Sequence, residues 1–441
     1  MLGRLVSPSW AVAEYVWYPL LLFAATPWFL HRLGAEQYGH WMLLTATVGL
    51  GGVLNVGTGA ATVKMVSAGI GRGDRTDAGR IVRASLAIAM LGGAMLALLV
   101  AGAYLIGGPA LLGRMGDPAL LRVTAIAAVV LLWLEQVDNV YSSALRGAER
   151  FGHSARLEIA AKTVQLLFAA LVLLAWQRLW ALYAALVVVA LARLLAKALF
   201  ARQLLGLGRM FPAWEGAREL LHYAKWGWLQ GIGGVLFGVA DRMLVGSLLG
   251  AASLAWYSIA SQLAMQAHAV SAAGLSVIFP AVSRKREDGK PFTLWRVTWL
   301  SVSANLLLST AIAIALLLLG TPLLHLWLGS DAAGPTSQVL PWLVVAYWLL
   351  ALNIVPYYVL LGMGRVRFVG LTVLVAGIVA TIAMYFAVID RGLAGAPLGR
   401  GVYALLTLAL AWPLAQHLLR ERSAMRGERP PVPVPYNETL P

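Results

Sequence analysis

The sequence predicts an all-α polytopic membrane protein: twelve transmembrane helices in two six-helix lobes related by a parallel repeat, with both termini cytoplasmic. Three observations carry this. The chain is 60% hydrophobic and 12% charged, with a mean hydropathy of +0.77, more apolar surface than a globular core can hide. Its apolar stretches are each long enough to cross a hydrocarbon core about 30 Å thick at about 1.5 Å per helical residue. With twelve crossings the Lys and Arg residues divide about 27 to 6 between the two faces, the asymmetry that keeps basic loops inside.

The first span, 10–31, is long and interrupted by Pro19 and Pro27. It has no small-residue cleavage site, so it reads as a retained helix and not a signal peptide. Proline removes a backbone hydrogen bond and permits bending, which makes Pro19, Pro27 and Pro356 of the tenth span the candidate hinges. Glu14 precedes the first two on the same helix. The second span, 38–63, contains Gly49, Gly51, Gly52, Gly57 and Gly59, which let neighbouring backbones approach closely. Before the third span, 81–107, the stretch Gly69 to Asp74 resembles a fragment of a phosphate loop, but no strand precedes it and no Lys-Ser/Thr follows. The fourth span, 119–141, sets Glu135 and Asp138 three apart on one face. In the fifth, 154–176, Lys162 follows Glu158 by four residues, the favourable order for a helical pair. In the sixth, 178–200, Arg193 and Lys197 share that spacing as two cations, which repel unless an anion or headgroup lies near.

A long basic connection then leads to the seventh span, 224–249, where a cluster of glycines precedes Asp241 and Arg242. Adjacent helical residues point about 100° apart, so each of these two needs its own partner. The eighth span, 251–280, carries a lone His268, read as a hydrogen-bonded core residue. Spans nine to twelve, at 293–320, 337–362, 366–389 and 393–419, complete the count. Outer connections are short, the longest near 321–336, so no sizeable extracytoplasmic domain is expected. The division is an N-lobe over 1–203, an inter-lobe linker over 204–223, a C-lobe over 224–420 and a Pro-rich, disordered tail over 421–441.

Leu33-Gly34-Ala35 recurs as Leu249-Gly250-Ala251, and Trp41 falls opposite Tyr257 at an offset of 216. Gly147, Arg150 and Phe151 fall opposite Gly364, Arg367 and Phe368 at 217. Two nearly equal offsets suggest duplication. Six spans per half give both copies the same orientation, and two such lobes enclose a cleft suited to alternating access. Cysteine is absent and no hydrolase or metal motif appears, so no enzyme is indicated. The net charge of +15 sits at one membrane face, where it meets anionic lipid rather than nucleic acid.

Several motifs are familiar in order along the chain: Leu33-Gly34-Ala35-Glu36-Gln37-Tyr38-Gly39, Asn55-Val56-Gly57-Thr58-Gly59, Gly73-Asp74, Arg146-Gly147-Ala148-Glu149-Arg150-Phe151, Asp241-Arg242-Met243-Leu244-Val245-Gly246, Tyr257-Ser258-Ile259-Ala260, Phe279-Pro280-Ala281-Val282-Ser283 and Leu326-Trp327-Leu328-Gly329. This set resembles the bacterial polysaccharide-unit flippases (Wzx type) of the multidrug, oligosaccharidyl-lipid and polysaccharide exporter superfamily. Departures are Ala255-Trp256 in place of a Gly-aromatic pair, and Pro397 with Arg400 in a stretch of small residues.

The resemblance implies a multi-pass protein of the bacterial inner membrane with a cationic central cavity for a polyprenyl-diphosphate-linked oligosaccharide, moved outward at the expense of an ion gradient. Ionisable groups within spans cost about 2.5–3.5 kcal/mol each on insertion scales, so they mark a cavity or a partner. Arg242, Lys64 and Lys162 are the candidates for the diphosphate; Glu14, Asp241, Glu135 and Asp138 are those for a coupling H+ or Na+. No cofactor is expected, and the chain is read as a monomer among membrane lipids, working beside other polysaccharide-assembly proteins. A cation-coupled multidrug exporter of the same superfamily is the alternative. A polysaccharide polymerase or ligase, which generally needs a large outer loop, is a more distant one.

Overall fold

The computed structural model describes the backbone of residues 2–111, 113–148, 151–205, 211–275 and 294–425. All regular structure there is helical: α1 (Leu2–Gly49), α2 (Gly52–Gly71), α3 (Arg75–Leu111), α4 (Pro118–Gly147), α5 (Phe151–Ala175), α6 (Leu179–Leu205), α7 (Ala217–Leu249), α8 (Ala251–Ala264), α9 (Gln266–Leu275), α10 (Leu294–Leu328), α11 (Ser330–Ala351), α12 (Ile354–Gly362), α13 (Val366–Arg391), α14 (Ala396–Thr407) and α15 (Ala411–Met425). Among the described residues eight helices are long and apolar enough to cross a membrane, or nine if a pair bent by 45° near Val56 is one span. Their lipid-compatible surface is evident in side chains such as Leu98, Leu105, Ile106, Leu307 and Leu326, which stand exposed.

Three corners share one backbone conformation. Gly34, which breaks α1, has φ 74° and ψ 166°. Gly250, between α7 and α8, has φ 91° and ψ 177°. Gly329, between α10 and α11, has φ 80° and ψ 170°. Only glycine visits this region without strain, because a Cβ would collide with the adjoining peptide. The Leu-Gly-Ala pair offset by 216 therefore marks the same corner built twice, and Trp41 and Tyr257, one turn or two beyond it, are both buried. The second motif pair does not match in this way: Gly147 is helical and packs on Val63 and Val66, whereas Gly364 has φ 78°.

Pro19 and Pro27 leave the dihedrals of α1 helical, and its break falls at Gly34. Pro356 stands in the first turn of α12, where a missing N–H interrupts no intrahelical bond. The expected second span is divided, α1 running to Gly49 and α2 restarting at Gly52. Gln136 of α4 fills the space beside Gly51 at this turn, which a side chain there would contest. The chain stays helical to Met425; the rest of the predicted tail, 426–441, lies outside the described residues, as do 206–210 of the linker, whose last residues from Ala217 already belong to α7.

α7 is the wall shared by the two halves, packed on α2 on one side and on α13 on the other. α1 adds a second junction by lying along α8, where Gly39 meets the backbone of Ala251.

Candidate functional site

The seam between the halves is written on one stripe of α7. Ala224 and Trp228 abut Gly57, with Trp228 Nε1 donating to the Leu54 carbonyl at 3.2 Å. Higher on the same stripe Val235 lies against Gly52, Val239 against Gly49 and Gly246 against Met115. These positions are spaced by four and seven residues, the spacing of one helical face. Arg242 falls within that series, between Val239 and Gly246, and so belongs to the face turned toward the first half. Its charge acts on Tyr38 of α1 and on Tyr347 of α11. Its side chain is half-buried, and its Nε is buried without a hydrogen-bond partner among the described residues.

Asp241, one residue earlier, points into the second half. Its Oδ2 accepts from Tyr257 Oη at 2.8 Å and from Arg400 Nη2, and its Oδ1 from the backbone N–H of Arg242 at 2.7 Å. The pair is dry, Arg400 5% and Asp241 6% exposed, and the Arg400 guanidinium also faces the Tyr347 ring at 5.2 Å. The charge count by membrane face places Arg400 at an outer helix end; the structure places it inside, on α14. A count along the chain reads each cation near a span end as solvated and cannot see a carboxylate 159 positions away. The adjacent charges of α7 thus have unequal fates: Asp241 is paired with a distant cation, and Arg242 has no carboxylate partner among the described residues.

A second polar cluster lies within the first half. Arg193 of α6 reaches Glu135, Asp138 at 3.2 Å and Glu158 at 3.5 Å. Lys197, 1% exposed, bonds Asp138 at 2.7 Å, Glu158 at 2.6 Å and Ser142 at 2.8 Å. Lys162 closes the set through Glu158 at 3.4 Å and by standing 5.2 Å over the Tyr18 ring. Three acids from α4 and α5 balance three bases from α5 and α6, so the anion demanded by the Arg193 and Lys197 spacing is a set of carboxylates. Glu135, 37% exposed, is the member open to a solute.

The candidate cations do not converge. Lys64 is exposed and stands 4.3 Å from the ring of Tyr223, 19 residues of α7 from Arg242, roughly 28 Å along the helix. Lys162 is held in the first-half cluster. The Glu14 side chain lies outside the described residues. His268 lines a cavity within the second half. Among the described residues no group of three His, Cys, Asp or Glu gathers to hold a metal. Arg400 and Tyr257 were not legible as site residues, although the departure of Arg400 from a small-residue stretch was the available signal.

A family model described as "Polysaccharide biosynthesis protein" matches residues 15–285. A proposed O-antigen transporter of Shigella flexneri is 22% identical over 405 residues, covering 89% of this chain and 94% of its own length. Among solved structures, an inward-facing multidrug resistance MATE family transporter of the MOP superfamily superposes with TM-score 0.70 at 15% identity, covering 93% of this chain and 95% of the other. The lipid II flippase MurJ in an inward closed conformation does so with TM-score 0.70 at 11% identity, covering 97% and 92%. At these identities the likeness is one of fold, an all-helical polytopic membrane fold.

Proposed function

This chain belongs to the family of polysaccharide biosynthesis proteins, and from that premise we propose that it is a flippase. Its cargo on this reading is a polyprenyl-diphosphate-linked oligosaccharide, carried from the inner to the outer leaflet of the bacterial inner membrane. The chain is a transporter and not an enzyme, in keeping with relatives that are transporters and flippases. Twelve crossings in two lobes, with both termini inside, remain the topology we propose, and alternating access the mode of transport.

The observation that carries the reading is Arg242. A half-buried guanidinium on the face of α7 that meets the first half, with its neighbouring carboxylate committed to Arg400, leaves positive charge where the halves must part. A diphosphate is a fitting occupant, since charge-assisted hydrogen bonds to a fixed guanidinium fork are strong and geometrically selective. Lys64, near the end of the seam we read as cytoplasmic, makes an early contact for the same headgroup. Lys162 serves its own cluster.

Ion coupling is assigned to carboxylates that already hold cations. A proton on Asp241 must displace Arg400, and it then frees a second guanidinium beside Tyr347. Glu135, Asp138 and Glu14 are the carboxylates through which the first half answers. In a strain lacking the gene, lipid-linked repeat units accumulate on the inner leaflet and surface polysaccharide is lost; normal pools and normal polysaccharide overturn the reading. The multidrug exporter is disfavoured by the sign of the seam charge, since a cationic drug would be repelled by Arg242. Unchanged drug susceptibility in the same strain is the expected companion result.

A further inference from the structure

A half-open cavity of about 280 Å³ lies in the second half, lined from α7, α9, α11, α12, α13 and α14. Its walls are mostly apolar, with three tyrosines, Tyr357, Tyr358 and Tyr403, together with His268, Thr407 and Asn353. Asn353 is 4% exposed. Its Nδ2 donates to the Ala404 carbonyl at 3.1 Å and to Thr407 Oγ1 at 2.9 Å, which fixes the sense of the amide. Its Oδ1 is buried without a partner among the described residues, and a buried acceptor left unmade costs about 1–3 kcal/mol. Asn353 lines the cavity while this oxygen is covered, so a turn of the side chain is what presents the unused acceptor to a donor that arrives with a ligand.

The lining restricts what that ligand is. No lining side chain carries a permanent charge, so an ion or a phosphate finds no counter-charge. An isoprenoid tail would leave Asn353 unsatisfied and desolvate His268. A pyranose ring has an apolar C–H face for a tyrosine and hydroxyl donors for an amide oxygen. The volume falls just under the roughly 300–1,000 Å³ of pockets that hold drug-sized ligands, the scale of one ring and not of a whole oligosaccharide. We propose that this cavity is a subsite for a single neutral sugar ring of the cargo, held by Asn353 Oδ1 and the tyrosine walls. The inference rests on the flippase reading and deepens it: Arg242 at the seam takes the diphosphate, and a second place inside the C-terminal half inspects the glycan.

Gly234 supplies the test. It lines the cavity, and a Cβ built on it meets nothing within 4 Å, whereas one on its neighbour Gly233 meets Leu374 backbone at 2.8 Å. Gly234→Leu therefore starts its side chain in open space and carries it into the cavity. Gly102→Leu on α3, equally open, is the control. The full chain in lipid nanodiscs is examined by saturation-transfer NMR with free galactose, rhamnose, glucose and N-acetylglucosamine. The expected result is transfer to the ring C–H protons of at least one of these sugars in wild type and in Gly102→Leu, reduced at least tenfold in Gly234→Leu and in Asn353→Leu, with the thermal unfolding of Gly234→Leu unchanged. Transfer that survives in Gly234→Leu, or is absent for all four sugars in wild type, overturns the subsite. Wild-type transfer together with normal lipid-linked pools in the deletion strain refutes the flippase reading alone. Absent transfer with accumulated pools refutes the subsite alone.

Discussion

Replacing Arg242 and replacing Arg400 should have opposite consequences, although both are arginines inside the bundle. Arg400 and Asp241 form a dry pair. Removing either partner strands a buried charge, at a cost of about 3–5 kcal/mol. Arg242 has no counter-ion among the described residues and is half-buried. Removing it relieves a desolvation penalty whose ceiling is the roughly 2.5–3.5 kcal/mol of a charge at a helix centre, and partial exposure reduces this to about 1 kcal/mol. Arg400→Met should thus lower the unfolding temperature by several degrees, and Arg242→Met should leave it level or raise it. The 17 tryptophans make intrinsic fluorescence a direct monitor in detergent. The double variant Asp241→Asn, Arg400→Met should recover most of the lost stability, because it leaves no orphan charge. Export follows the reverse order: Arg242→Met should abolish it in a stable protein. If Arg242→Met is destabilised as much as Arg400→Met, Arg242 has a structural partner and the argument for a reserved cation fails. If it is stable and still exports, the headgroup is bound elsewhere.

Asp138→Asn should destabilise the first half by about 3–5 kcal/mol, and adding Lys197→Met should restore much of it; purely additive losses in that double-mutant cycle would show that the six charges do not act as one set. Gly57→Val should wedge the seam near the start of α7, since the new side chain meets the Trp228 ring and, at 2.6 Å, the Ala224 carbonyl. The absence of cysteine makes single-site spin labels at 72 and 218 straightforward, and an unchanged distance between them would count against a tight junction there. At the start of α3, the Thr76 hydroxyl and the Asp77 backbone N–H hold the Asp74 carboxyl below the usual carboxylate value of 3.8. A depressed carboxylate stabilises the helix start above that value and ceases to do so as pH falls through the lower, folded one. The protection factors of amides in the first turn of α3, taken relative to intrinsic exchange at each pH, should therefore fall in acid, and Asp74→Ala should show the lowered protection already at pH 7.

What the chain disclosed by itself was whatever depends on one stretch of residues. Apolar length announced the membrane helices, and the Leu-Gly-Ala recurrence pointed to Gly34 and Gly250 as equivalent corners. The adjacency of Asp241 and Arg242 implied that the two do not neutralise each other side by side, because 100° of rotation is a property of any helix; a partner is found for Asp241, and none for Arg242 among the described residues. The identity of Asp241's partner was hidden, since Arg400 comes from a helix 159 positions on and looks like an ordinary basic end residue. The Arg193 and Lys197 spacing called for an anion without saying which; α4 and α5 provide it only once they pack beside α6. Hinges were harder still. Proline is the obvious breaker on paper, yet Pro356 sits where a helix tolerates it, and α1 turns at a glycine whose backbone no other residue adopts easily. The cavity around Asn353 left no trace in the sequence, because six helices contribute to it.

The placement of Asp241 and Arg242 on successive peptides of α7 makes that helix a crank. Any rolling that swings one of them out of its present surroundings must swing the other by the same angle. A tug on the guanidinium at the seam is transmitted, through a single rigid rod, to the lock that fastens α7 to α14. On the function proposed above, cargo capture and release of that lock would be two readings of one rotation.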